Sequence, residues 1–320
     1  MEGPVHGVYG TEHRKQLFLR PTEVVFCSRF RTQAEMQSPS RSGAALGDAH
    51  LRALRWCLQI SIVAMCLAEA WRALFYGDVV FSFLFLDADW PEEDALRVTH
   101  AAAYGLVAAA ALSWWRVCWP ALLTVSVWMA VLAALSVVQQ PPRAELIPGA
   151  RAARVLGPVG LALLLAFPRE GAVPWSRERA AIGLLQLAAS STFICHGLMA
   201  LAHEGEFLDY IFMAGQRLLG LEISQAVAER ALSAIGIIDL VMGAALLLAP
   251  GRARMGAAAY MALWGLLTAS ARIVHSGFDN SFESLLRVPN WAVPLGLFLY
   301  WFLSRGSETA ELKRSPDLGR

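Results

Sequence analysis

Eight stretches of nearly continuous apolar sequence, at 55–75, 97–115, 119–138, 153–168, 180–202, 229–249, 254–275 and 288–304, are separated by polar connections. A helix needs about 20 apolar residues to cross a bilayer, and fewer where it is short or the membrane is thinned. The pattern therefore predicts an all-α integral membrane protein with eight transmembrane helices, two of them short. Arginines and lysines in the connections set the expected orientation, because positive loops stay on the cytoplasmic side. The N-terminal tail, Arg116, Arg169, Arg177, Arg179, Arg252, Arg254 and the tail with Lys313 and Arg314 share one side, which places both termini in the cytoplasm. The opposite connections include the acidic "LDADWPEEDA" and "HEGEFLDYIF"; Arg143, Arg151 and Arg154 also fall there, against the trend.

The apolar stretches repeat. "CLQISIVAMCLAEAW" from Cys57 aligns with "LLQLAASSTFICHGL" from Leu184 at an offset of 127 residues, and "GLVAAAALS" from Gly105 with "DLVMGAALL" from Asp239 at 134. Trp128 aligns with Trp264, and "PVGLALLLAF" from Pro158 with "PLGLFLYWFL" from Pro294, both at 136. Four ordered matches at a nearly constant offset predict a tandem duplication of a four-helix unit. Four is even, so the two units are parallel and related by a pseudo-twofold along the membrane normal. The expected division is 1–52 as a disordered cytoplasmic extension, 53–170 as the first four-helix repeat, 178–304 as the second, and 305–320 as a cytoplasmic tail. Met36, within that extension, is the alternative to Met1 as the true translation start, and the extension lacks the features of a signal peptide. The connections 76–96 and 203–228 mix apolar and charged residues, as expected of segments lying at the membrane interface or over the mouth of a bundle.

Composition agrees with a membrane protein: of 320 residues 56% are hydrophobic and 17% charged, and the mean hydropathy is +0.46. A net charge of +1 without a basic-aromatic array gives no footprint for nucleic acid. Cys27, Cys57, Cys66, Cys118 and Cys195 form no CxxC pair or finger-like spacing, so they read as small apolar residues rather than as thiol or zinc chemistry. Phosphate loops, GxSxG elbows and HExxH pairs are likewise missing from the sequence.

Ionisable groups inside an apolar span are costly, by roughly 2.5–3.5 kcal/mol on insertion scales, and usually face the bundle interior. Those in the predicted spans are Glu69 and Arg72 in the first helix, His196 and His203 in the fifth, Asp239 in the sixth, and Arg272 and His275 at the end of the seventh. At about 1.5 Å per residue, His196, Asp239 and Arg272 reach comparable depth, so they form a candidate polar site. A plainer alternative pairs Asp239 with Arg272 and lets His196 bond a backbone carbonyl. His203, two turns beyond His196, is placed at the mouth; with His275 it completes a set of candidate cofactor-binding histidines. No facing pair of deep histidines is legible, so haem is not the expected cofactor, and no metal site is assigned. In the first repeat Glu69, Gly105 and Ser136 stand opposite His196, Asp239 and Arg272, so the polar set is complete only once, and Glu69 and Arg72 read as an i, i+3 ion pair.

"HGLMAL" followed by an acidic-aromatic connection, and "AIGIIDLVMGAALLLAPGRA", make residues 180–304 similar to the DoxX-like family of four-helix membrane proteins. His196 and Gly197 match the family's HG near the end of its first helix, and Asp239 stands where the family usually carries Glu. Some relatives are subunits of a thiosulfate:quinone oxidoreductase associated with a terminal oxidase. The resemblance thus implies a bacterial cytoplasmic-membrane protein, a quinone or other lipid-soluble redox ligand, and redox partner subunits. On that reading His196 contacts the quinone and accepts a proton, Asp239 orients it, and Arg272 stabilises charge. A non-catalytic scaffold and a small-molecule transporter remain the alternatives; the sparse polar lining expected of the first repeat argues against transport.

Overall fold

A helix stands at each of the eight predicted places in the computed structural model, which describes residues 49–115, 118–139, 143–165 and 175–314. They are α1 (Ala49–Phe75), α2 (Glu92–Trp115), α3 (Trp119–Gln139), α4 (Ala152–Leu165), α5 (Trp175–Leu201), α6 (Gln225–Leu248), α7 (Gly251–Ser276) and α8 (Val288–Arg314). The expected N-terminal extension as far as residue 48, Met36 within it, and the connection 166–174 lie outside the described residues. Among the described residues seven helical segments are long and apolar enough to cross a membrane: α1, α2, α3, the segment 144–165 that includes α4, α5, α6 and α7. The eighth, α8, is 27 residues long but begins Val-Pro-Asn-Trp and ends in a charged tail, which lowers its apolarity below that of the others.

Several helices begin earlier than hydropathy alone predicts. α1 starts at Ala49, ahead of the expected start at 55, because its first turns pack on neighbours: His50 stands edge-on to Tyr300, with ring centroids 5.0 Å apart, and Leu54 is buried. α2 starts at Glu92, where Glu92, Glu93 and Asp94 occupy the first turn and complement the positive end of the helix.

The described helices belong to one unit, Ala45–Arg320. α1 packs on α2 and α5 on α6; α3 packs on α4 and α7 on α8; α4 packs on α5, and α8 returns to pack on α1. The short elements recur too. Between α1 and α2 a helix Val79–Ser82 runs into a π-turn, Phe83–Asp87, and between α5 and α6 a helix Gly205–Ala214 runs into a π-turn, Gly215–Leu219. A 3₁₀ turn and a short helix precede α4 (Ala144–Leu146, Ile147–Ala150) and α8 (Phe278–Asn280, Phe282–Leu286). The core between the helices holds Leu54, Leu58, Met65, Leu122, Leu185 and Leu246, with Cys66 among them, as expected of a small apolar residue. Cys57, Cys118 and Cys195 are half-buried.

Asp78, only 5% exposed, caps the helix Val79–Ser82 by accepting from the Phe81 amide at 2.8 Å. Burial pushes its carboxyl above the ordinary carboxylate range. The native state therefore favours the protonated form, and stability falls as pH rises from the usual carboxylate range through the raised native value. Asparagine caps a helix as well as aspartate does. Asp78→Asn is expected to keep the fold, to equal or raise the thermal midpoint at pH 8 in detergent, and to flatten this part of the pH profile; a clearly lower midpoint at pH 8 would refute that account.

Candidate functional site

Two glycines create the site by letting α5 and α6 touch. A Cβ on Gly197 would lie 2.9 Å from the Gly236 carbonyl oxygen and 3.2 Å from Asp239 Cβ, and a Cβ on Gly236 would lie 2.8 Å from the Gly197 carbonyl oxygen. This backbone contact, of the kind that small residues allow between membrane helices, sets Asp239 beside the turn that carries His196. α7 completes the wall with Trp264 and Arg272, and the helix Gly205–Ala214 lies across the opening with Phe207 and Tyr210. The cavity is about 300 Å³ and predominantly apolar; His196, Asp239 and Arg272 all line it, together with Arg287, just before α8, and Asn290 in its first turn. The three residues that sequence depth grouped are thus brought to one cavity.

Of the plainer alternative, the bond from His196 to a backbone carbonyl is found and the pairing of Asp239 with Arg272 is not. His196 Nδ1 lies 2.8 Å from the Thr192 carbonyl oxygen, one turn back on its own helix. A carbonyl only accepts, so Nδ1 carries the hydrogen; in the neutral ring Nε2 is then an acceptor. Asp239, 4% exposed, accepts from the Tyr260 hydroxyl at 3.1 Å, with Trp264 beside it. Arg272, 3% exposed, donates from Nη1 to the Thr268 carbonyl at 3.1 Å and from Nη2 to Glu206 Oε1 at 3.4 Å. The alternative pairing of Asp239 with Arg272 is therefore not what the structure contains: each has its own partner.

Glu206 organises one end of the cavity. Its Oε1 also accepts from Arg287 Nη2 at 3.3 Å and from the Tyr210 hydroxyl. The Arg272 guanidinium lies 4.6 Å from the centre of the Tyr210 ring, a cation–π arrangement. Burial raises the Tyr210 phenol above its ordinary range, so it remains a donor to Glu206 at neutral pH. These contacts fasten the connecting helix to α7 and to Arg287, at the junction of the short helix Phe282–Leu286 with α8.

The other two candidate cofactor-binding histidines do not join His196. His203 has a left-handed backbone, φ 53°, at the start of the connection, and its Nε2 lies 2.8 Å from the Ser233 hydroxyl on α6; it does not line the cavity. His275 is engaged by Ser276 at 3.0 Å and stands edge-on to Tyr210, outside the lining. They terminate helices facing other partners, which spacing along one helix does not reveal. Among the described residues no group of three His, Cys, Asp or Glu side chains is placed to share a metal ion.

Sequence reading missed four residues here. Glu206 and Tyr210 lie within the connection that the sequence marks only as acidic and aromatic, and Arg287 and Tyr260 carry no signal that singles them out. Arg151 and Arg154, counted as loop charges against the topology, are instead partly buried, Arg151 just before α4 and Arg154 in its first turn. Arg151 donates to the Leu132 carbonyl at 3.1 Å and the Ser136 hydroxyl at 2.7 Å. Glu69 and Arg72 form the expected i, i+3 ion pair.

Comparison with family models, curated proteins and solved structures gives no match to this chain.

Proposed function

We propose that the protein is a DoxX-like integral membrane protein whose second four-helix unit binds a quinone or its reduced form in the cavity between α5, α6 and α7. The observation that carries this reading is the convergence of His196, Asp239 and Arg272 on one mainly apolar cavity of about 300 Å³, the lower end of the size range typical of small-molecule sites. Such a lining suits a lipid-soluble ring with polar oxygens. His196 Nε2 accepts a hydrogen bond from a ring hydroxyl, which favours the quinol at that position, and Arg272 faces negative charge on the ligand. Asp239 acts by fixing Tyr260 and the α6–α7 wall rather than by orienting the imidazole, whose hydrogen bond goes to Thr192.

The reading includes a tandem duplication, with α8 as an eighth span, and a bacterial cytoplasmic membrane with both termini on the cytoplasmic side. Recurrence of the same short elements in the same order, and of the same helix pairings in 49–165 and 175–314, supports the duplication. Relocating Arg151 and Arg154 from exposed loop into the bundle removes two exceptions to the positive-inside pattern. Redox partner subunits belong to the same proposal.

Anaerobic titration of the purified protein with a short-chain ubiquinone and its quinol tests the reading. Binding is expected in the wild type and a weakening of at least tenfold in both His196→Ala and Asp239→Asn. Full affinity in both variants would sink it.

A further inference from the structure

A second cavity, of about 520 Å³, opens beside the C-terminal end of α1, and its lining includes Arg72, Asp78, His100, Ser136, Gln139 and Arg151. At the 136-residue offset that relates Pro158 to Pro294, Arg151 corresponds to Arg287 and Ser136 to Arg272. This cavity is therefore the counterpart, in the first half, of the one already described. Its lining is polar where the other is apolar, in contrast to the sparse polar lining expected of the first repeat.

Positive charge here exceeds the negative charge available to it. Arg72 is paired with Glu69. Arg151 donates only to a carbonyl and a hydroxyl, both neutral. Neither Arg151 nor Arg154 has a carboxylate within ion-pair distance among the described residues. Arg154 sits one turn along from Arg151, within electrostatic reach of Arg151, Arg72 and Glu69, and its Nε is buried with no hydrogen-bond partner. Among the described residues the one carboxylate in the lining, Asp78, is committed to the Phe81 amide. Guanidiniums held out of bulk water without a counter-charge are costly, and a ligand that supplies the charge relieves that cost. Arginine forks also match the paired oxygens of carboxylates and phosphates, and His100 and Gln139 add further hydrogen-bonding groups.

We propose that this first-half cavity binds a small oxyanion group, a carboxylate, phosphate or sulfate, held chiefly by Arg151 and Arg72. The group is carried either by a free water-soluble anion or by the headgroup of an anionic lipid. The proposal does not depend on a quinone in the other cavity.

The test uses the purified full chain in neutral detergent at constant ionic strength. Inorganic phosphate, sulfate and acetate are titrated calorimetrically, and native mass spectrometry follows retained phosphatidylglycerol. Saturable binding of at least one probe, weakened tenfold or more in Arg151→Gln and partly restored in Arg151→Lys, is the expected result and identifies a free anion. Stoichiometric retention of the lipid, lost in Arg151→Gln and displaced by phosphate, supports the proposal with a headgroup as the source. If Arg151→Gln does not fold, His100→Asn serves in its place and is expected to weaken either kind of binding at least threefold. Absence of both probe binding and lipid retention in the wild type overturns the proposal. So does binding unchanged in Arg151→Gln or, where that variant does not fold, in His100→Asn.

Discussion

Gly236→Ala is expected to destabilise the protein by roughly 1–3 kcal/mol, the usual cost of overpacking, and Gly236→Val to prevent recovery of folded protein. An added Cβ would lie 2.8 Å from the Gly197 carbonyl oxygen and 3.1 Å from the Leu201 amide nitrogen, both backbone atoms of α5 that cannot swing aside as a side chain would. The helices must separate, and with them the walls that carry His196 and Asp239, so the proposed quinone binding should be lost along with stability. Gly105 on α2 is the control: a Cβ added there would meet nothing within 4 Å, so Gly105→Ala is expected to be neutral or to stabilise by up to about 1 kcal/mol through helix propensity. Thermal midpoints in detergent distinguish the two. Equal midpoints for Gly236→Ala and Gly105→Ala would show that the α5–α6 contact is not the tight one described.

The second large effect is expected from Glu206→Lys. Glu206 is the shared partner of Arg272 and Arg287, and the substitution places a third cation between them. Its side chain is 53% exposed whereas that of Arg272 is 4% exposed, so the loss falls between those of exposed and buried ion pairs, roughly 1–3 kcal/mol. The consequence is local as well as global: the helix Gly205–Ala214 and the turn after it should detach from the cavity, which hydrogen exchange would detect as faster exchange across 205–219. Glu206→Gln, which keeps an acceptor but not the charge, should be intermediate. Wild-type exchange in Glu206→Lys would mean that other contacts hold the connection, such as that between Arg217 and the Val274 carbonyl.

How much of this was legible in the sequence follows from what hydropathy measures. Helix positions were legible because each span is a long run of Ala, Leu, Val and Gly; helix starts were less so, because the polar first turns of α1 and α2 pack or cap locally. Depth along the helices sufficed to group His196, Asp239 and Arg272. It could not supply their partners, because Tyr260, Glu206 and Thr192 are chosen by the rotation of each helix and by a connection whose course no periodicity fixes. The same limit explains His203 and His275, which are engaged elsewhere, and Arg151, whose partners on α3 lie 15 and 19 residues away. An arginine between two helices carries the hydropathy of a loop residue, and only packing reveals that it points inward.

The most direct test of the central claim is mass spectrometry of small molecules extracted from the purified wild type and from His196→Ala. A quinone or quinol recovered near one per chain from the wild type and lost from the variant is the predicted result. Recovery of none from either preparation, or of equal amounts from both, would contradict a quinone site at α5 and leave His196 as a histidine satisfied by the Thr192 carbonyl.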